Sequence, residues 1–168
     1  MERNSSTDRP IEIRAEHVNA FVGPTLDILK RMGRVDASVR EVRREKENNP
    51  SHPISIVIGF SGDLNGSFII GFDKVSALAV TAGMMGVEKM TELNSDCQEA
   101  LAEFSNVIVG NATGKLADLG IQVTITTPII SMGMIVPLVE DPFIVPLNSD
   151  KGDIELGLSF KGKSQKKD

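Results

Sequence analysis

Two apolar runs, Ile54–Phe60 and Ser67–Phe72, lie on either side of the segment Ser61-Gly62-Asp63-Leu64-Asn65-Gly66. Gly, Asp and Asn tolerate the positive φ angles that tight chain reversals demand. The pattern predicts a β-hairpin and therefore an antiparallel sheet, against which the rest of the chain has to be placed. Upstream, Val18, Phe21, Val22, Leu26 and Leu29 recur at steps of three and four, which predicts an amphipathic helix over Ala15–Met32. Pro24 inside it implies a kink or a late start, and Gly33 marks its end. Residues 34–46 fit a strand through Val35, Ala37 and Val39 and a helix through Val35, Val39 and Val42. Their dense charge favours an exposed edge strand. Glu47–Pro53 reads as a turn.

Downstream of the hairpin the spacing predicts a helix over Lys74–Met85, loosened at its end by Gly83 and Gly86. A longer helix begins at Asn94 or Ser95, either of them a sound N-cap, with Asp96 in the first turn where the helix dipole favours an anion. It runs to Leu119, and Gly120 ends it. Ile121–Met132, Phe143–Leu147 and Ile154–Phe160 then read as strands. Hairpin, helices and strands in that order give an α+β fold, an antiparallel sheet with long packed helices.

Composition narrows the function. A chain of 168 residues suits one domain. We expect residues 1–10 to be a disordered start, 11–161 a single domain and 162–168 a basic disordered tail. A net charge of −5 makes a poor non-specific ligand for nucleic acid. The absence of Trp and Tyr argues against base-stacking surfaces. Cys97 is the one cysteine, so no internal disulfide and no cysteine metal site is possible; it reads as an inert helix residue in a reduced compartment. His17 and His52 read as surface or packing residues. Met1–Pro10 has no apolar signal region. The uncharged stretch Leu119–Val139 is long enough to cross a bilayer, but its polar residues, two prolines and Val123/Ile125 alternation read as strand. The expectation is a cytoplasmic protein with no membrane and no nucleic-acid partner.

The long helix carries the functional signal. On a wheel of about 100° per residue, Leu101, Phe104, Ile108, Ala112, Leu116 and Leu119 form a core stripe. Glu99, Glu103, Asn106, Gly110, Thr113 and Ala117 lie opposite. A carboxylate and a carboxamide three residues apart thus point outward as neighbours. Such a pair is common on solvated helices and says little by itself. Gly110 and Gly114 are less ordinary, since each costs about 0.5–1 kcal/mol relative to Ala inside a helix. Close approach of another backbone, or packing under the chain's own sheet, could compensate.

The run Glu99-Ala-Leu-Ala-Glu103-Phe-Ser-Asn106-Val-Ile-Val-Gly110-Asn111 resembles the signature helix of the CheX/CheC/FliY family of chemotaxis response-regulator phosphatases. The hairpin Gly59–Ser67 resembles the strand–turn–strand that precedes that helix in CheX. The single copy of the motif and the chain length place the resemblance closest to CheX. Phe104 is bulkier than the Ile or Leu expected after the Glu, and Arg40–Glu47 has no clear match. The resemblance implies hydrolysis of the aspartyl phosphate on a CheY-like receiver, with Asn106 orienting the attacking water and Glu103 docking to the receiver's lysine. Glu99, Gly110, Asn111 and Thr113 would then contact the partner. It also implies a homodimer, no cofactor or metal of its own, and Mg²⁺ on the receiver. Two alternatives stay open: a non-catalytic docking module for a chemotaxis receiver or flagellar-switch partner, and an unrelated small-molecule enzyme, for which no Ser/His/Asp set, phosphate loop or metal cluster is visible.

Overall fold

In the computed structural model, which describes residues 11–44, 52–133 and 141–161, the hairpin sets the register of the sheet. Strand β3 (Ile54–Gly62) pairs with β4 (Asn65–Phe72) from Ile54↔Phe72 to Phe60↔Gly66. Strand β8 (Ile154–Lys161) adds to β4, and β7 (Phe143–Ser149) adds to β8. The short strands β1 (Ala37–Val39) and β2 (Arg43–Arg44) both pair with β7 and form one edge. At the other edge, β5 (Val123–Ile125) and β6 (Ile129–Met132) both pair with β3. Every pairing is antiparallel, in the order β1-β7-β8-β4-β3-β5.

Period-two alternation in the strands becomes rows of apolar side chains across the sheet. Ile56, Ile70, Leu156 and Val145 form one row and Ile54, Phe72, Ile154 and Leu147 another, all of them buried. Three helices cover these rows: α1 (Ala15–Arg31), α2 (Lys74–Met85) and α3 (Ser95–Asp118), with α3 packed against both of the others. Phe21 of α1 stacks at 5.2 Å from both Phe60 and Phe68, and Phe104 of α3 meets Phe72 at 6.3 Å. Aromatic pairs at these separations contribute about 0.5–1.5 kcal/mol each beyond their burial. α3 is therefore anchored through the sheet as well as through its neighbours.

Within the described residues the expected helices and strands are present, with physically informative differences. α1 runs unbroken through Pro24 from Ala15, and its first turn is closed by the Arg14 N–H donating to His17 Nδ1 at 3.0 Å. Gly33 is not the left-handed residue that ends it. That residue is Arg34, at φ 54°, while the Val35 N–H reaches back to the Leu29 carbonyl at 2.9 Å in a Schellman-like turn. Gly33 is needed for a different reason: a Cβ on it would lie 2.9 Å from the Leu29 carbonyl oxygen, and a Cβ on Gly83 of α2 would in turn run into the Gly33 carbonyl. The two glycines let α1's end and α2 touch backbone to backbone.

In the hairpin, the positive φ falls on Gly62, at 140°, and the rest of the turn follows without it. Asp63 Oδ2 accepts the Gln122 N–H at 2.8 Å, tying the turn to the segment that leaves α3. The predicted strand 121–132 divides into β5 and β6 because Pro128 has no N–H to offer the ladder. The register slips by one residue between them, a bulge. Residues 34–44 supply the charged edge expected of them. The expected turn over residues 47–53, except His52 and Pro53, and the expected disordered ends at 1–10 and 162–168 lie outside the described residues.

Candidate functional site on the long helix

Helix α3 starts where the sequence indicates. Asn94 is the N-cap and its side-chain oxygen accepts the Cys97 N–H at 3.1 Å, with Asp96 in the first turn. Cys97 is buried and its thiol lies 3.1 Å from the Glu92 carbonyl oxygen, a local contact that closes the helix start. Toward the core the helix presents Leu101, Phe104, Ile108, Ala112 and Leu116, as the wheel requires. Ser105 and Val109 are buried beside them, so the buried face is broader than the stripe. Leu119 is the exception to the predicted stripe. The helix ends at Asp118, Leu119 leaves helical geometry and is 42% exposed, and Ile121 turns inward to fill the core instead.

The opposite face is open. Glu99, Glu103, Asn106, Gly110 and Asn111 are exposed and Thr113 is half-buried. The structure thus brings the predicted site residues onto one surface, but their side chains are not equivalent. Asn111 Nδ2 donates to the Val107 carbonyl at 2.8 Å, and Thr113 Oγ1 donates to the Gly110 carbonyl at 2.8 Å. Both polar groups are turned back onto their own helix. Among the described residues, Glu99, Glu103 and Asn106 make no hydrogen bond or ion pair. Glu103 and Asn106 stand one turn apart on an anchored helix with every donor and acceptor free.

Gly110 and Gly114 answer the question their cost raised. A Cβ at either position would meet nothing within 4 Å. The chain's own sheet does not press on Gly110, so internal packing gives no reason for a glycine there. One turn from Asn106 the absent side chain leaves open space on the exposed face. Gly110→Ala is expected to raise stability by about 0.5–1 kcal/mol, read as a small increase in melting temperature. If that space serves a partner, the same substitution weakens that partner's binding.

A second polar cluster lies elsewhere. Glu155 of β8 sits 3.5 Å from His52 Nε2 and 3.4 Å from Arg43 Nη2. The imidazole beside it, with Arg43, holds the Glu155 carboxyl below the usual carboxylate range. It joins β2, the start of β3 and β8, and reads as a structural tie. Among the described residues, no group of three or more His, Cys, Asp or Glu side chains could hold a metal ion, and no helix is long and apolar enough to cross a membrane.

Comparison with known proteins places this geometry. A family model described as chemotaxis phosphatase CheX matches residues 54–146, from β3 through α3 into β7. The chain is similar to the CheY-P phosphatase CheX of Thermotoga maritima, 29% identical over 119 residues that cover 71% of this chain and 77% of that one. It is similar in structure to the chemotaxis protein CheX of Vibrio vulnificus, at 27% identity and a TM-score of 0.79 over 88% of this chain and 100% of that one. It is also similar to a chain of the CheX-CheY-BeF3-Mg+2 complex of Borrelia burgdorferi, at 25% identity and a TM-score of 0.66, covering 88% of this chain and 99% of that one. Because the family model spans more than half of the sequence, this chain belongs to the chemotaxis phosphatase CheX family.

Proposed function

We propose that this protein hydrolyses the aspartyl phosphate of a CheY-like receiver in the cytoplasm, with Asn106 orienting the attacking water and Glu103 docking to a lysine of the receiver. The observation that carries the reading is the pair itself: Glu103 and Asn106 are adjacent, exposed and free of internal partners, on a helix whose other face is locked into the core. The chemistry needs little more. An acyl phosphate is already reactive, and a receiver brings its own Mg²⁺. What remains is to hold one water in line with the bond from phosphorus to the aspartyl oxygen. The water oxygen bonds to phosphorus, the aspartyl carboxylate leaves, and phosphate is released.

A carboxamide suits that task. It donates and accepts at once, so it fixes a water's direction without adding charge beside the phosphate. GTPases use a glutamine in the same role. A single carboxylate at Glu103 supplies the opposite need, a charged hydrogen bond that sets the register of docking. Glu99, Asn111 and Thr113 would border the contact, and Gly110 would let the receiver's backbone come close. The similarity to a chain solved in complex with CheY supports the choice of partner.

The test is the decay of a phosphorylated receiver with and without the protein. Accelerated phosphate release is the expected result. Saturable binding with an unchanged decay rate would replace the phosphatase with a docking module, and neither binding nor acceleration would overturn both.

We also propose a homodimer, formed through the β5–β6 edge. The opposite edge carries Arg40, Glu41, Arg43 and Arg44, charges that discourage strand addition. Residues 121–133 carry no charge, and the edge exposes Ile125, Ile129 at 67% and Met132. Pairing two such edges about a two-fold axis covers both. Light scattering should give the mass of two chains for the native protein and of one for Ile129→Lys; a native monomer at micromolar concentration would refute it.

A further inference from the structure

The geometry points to a second interaction surface, on the outer face of α2, that takes an acidic amphipathic helix from a partner protein. The helix KVSALAVTAGMM carries a single charged residue, Lys74. Its inner face is used: Ser76, Ala77, Val80 and Thr81 are buried in the core. Its outer face is also apolar, and it is only partly covered: Ala79 packs against the core and Gly83 meets the end of α1, while the rest is open. Val75 is 62% exposed, Leu78 and Ala79 are half-buried, and Met85 and the following Val87 are exposed. A helix that is apolar all round is a helix meant to be buried all round.

This face forms one wall of a groove of about 530 Å³ between the end of α1 and the segment after α2. From Val75 to Gly83 the helix lines the groove over about 12 Å at 1.5 Å per residue. That is the reach of a short helix laid along it, with anchors spaced at three and four residues. The rim supplies the charge preference. Arg34, Lys89 and Lys151 line the groove against one carboxylate, Glu88. None of the three cations has an ion-pair partner among the described residues. On a chain of net charge −5, this local excess of unpaired cations selects an acidic occupant. A second copy is disfavoured, since a two-fold contact would set the three cations against themselves. The chain's own C-terminal residues, with Lys163, Lys166 and Lys167, are repelled for the same reason.

Among the three cations, Arg34 is the one whose position the backbone fixes. It occupies the left-handed region at φ 54°, where glycine is at ease and a side chain is not. The turn that ends α1 requires that conformation, and it carries the guanidinium to the lining of the groove, where no ion pair or hydrogen bond engages it among the described residues.

The experiment uses the full chain and a labelled synthetic amphipathic peptide with Leu at i, i+3, i+4 and i+7 flanked by Glu, alongside its Lys-flanked counterpart. Fluorescence anisotropy should show saturable one-to-one binding of the acidic peptide, weakened by salt, and none of the basic one. Arg34→Gly and Val75→Asp should each weaken binding by about tenfold or more. Arg34→Gly should do so without lowering the melting temperature, because it relieves the positive φ, and with receiver dephosphorylation unchanged. Absence of binding, equal binding of both peptides, or binding indifferent to both substitutions would overturn the inference. So would Arg34-dependent binding of dodecanoate without any peptide binding, which would make the groove a small-ligand site. Conversion of a dimer to a monomer by Val75→Asp would assign the face to a second copy and overturn it as well.

Discussion

Asn106→Ala is expected to slow receiver dephosphorylation by at least about 100-fold while leaving the fold intact, since removing one preorganised positioning group commonly costs about 10²–10³ in rate. Asn106 carries no internal polar contact: it is exposed, and it lacks hydrogen-bond partners among the described residues. Ala is the better helix former by up to about 0.7 kcal/mol, so the melting temperature should hold or rise slightly. Lost activity therefore cannot be ascribed to lost structure. The rate should fall because nothing else on this face replaces a carboxamide. Glu103 offers only acceptors, and Asn111 and Thr113 are engaged with their own backbone. Asn106→Asp keeps the size but brings a like charge toward the phosphate, and should not restore the rate. Glu103→Ala should act differently, raising the receiver concentration needed for half-maximal rate more than it lowers the maximal rate. An Asn106→Ala protein with near-native activity would remove the assignment altogether.

How much of this was legible beforehand depends on the range of the interaction concerned. The hairpin was visible because its strands and turn are contiguous, and Gly62 does adopt the positive φ that the turn chemistry calls for. α3 was visible because five core positions repeat with the helical period and Asn94 caps the first turn. The outward pair Glu103 and Asn106 followed from that same period. Whether those side chains were free, or bound within the fold, could not be read from spacing. Leu119 was misplaced because periodicity continues on paper after the backbone has left the helix. The use of Gly33 and Gly83 was hidden because it depends on a contact between helices fifty residues apart. Both looked like helix ends, yet neither has the left-handed conformation of one, which falls on Arg34 after α1 and on Gly86 after α2. Arg34 was hidden because a positive φ on an arginine is set by what surrounds it, not by its own preference.

Gly83→Ala should be among the most damaging substitutions available outside the apolar core, and its sign tests the backbone contact directly. Helix propensity by itself predicts a gain of about 1 kcal/mol, as for any glycine inside a helix. The structure predicts the reverse. The added Cβ would lie 2.1 Å from the Gly33 carbonyl oxygen, 2.4 Å from its carbonyl carbon and 3.0 Å from its Cα. All three are main-chain atoms, so no rotamer change can relieve the overlap. Gly33 is itself held, its N–H donating to the Ile28 carbonyl at 3.2 Å and the nearby Val35 N–H to the Leu29 carbonyl at 2.9 Å. Either α2 shifts on the core or the end of α1 unwinds. Overpacking of this kind costs about 1–3 kcal/mol or more, and the propensity gain offsets only part of it. A net loss of about 1–2 kcal/mol corresponds to a fall in melting temperature of roughly 2–8 °C for a chain of this size. Gly110→Ala, the same substitution on α3 with empty space around it, should move the melting temperature the other way. A Gly83→Ala protein that melts higher than the native chain would mean that the two helices do not meet at their backbones. The position of Arg34 at the rim of the α2 groove would then have to be reconsidered with it.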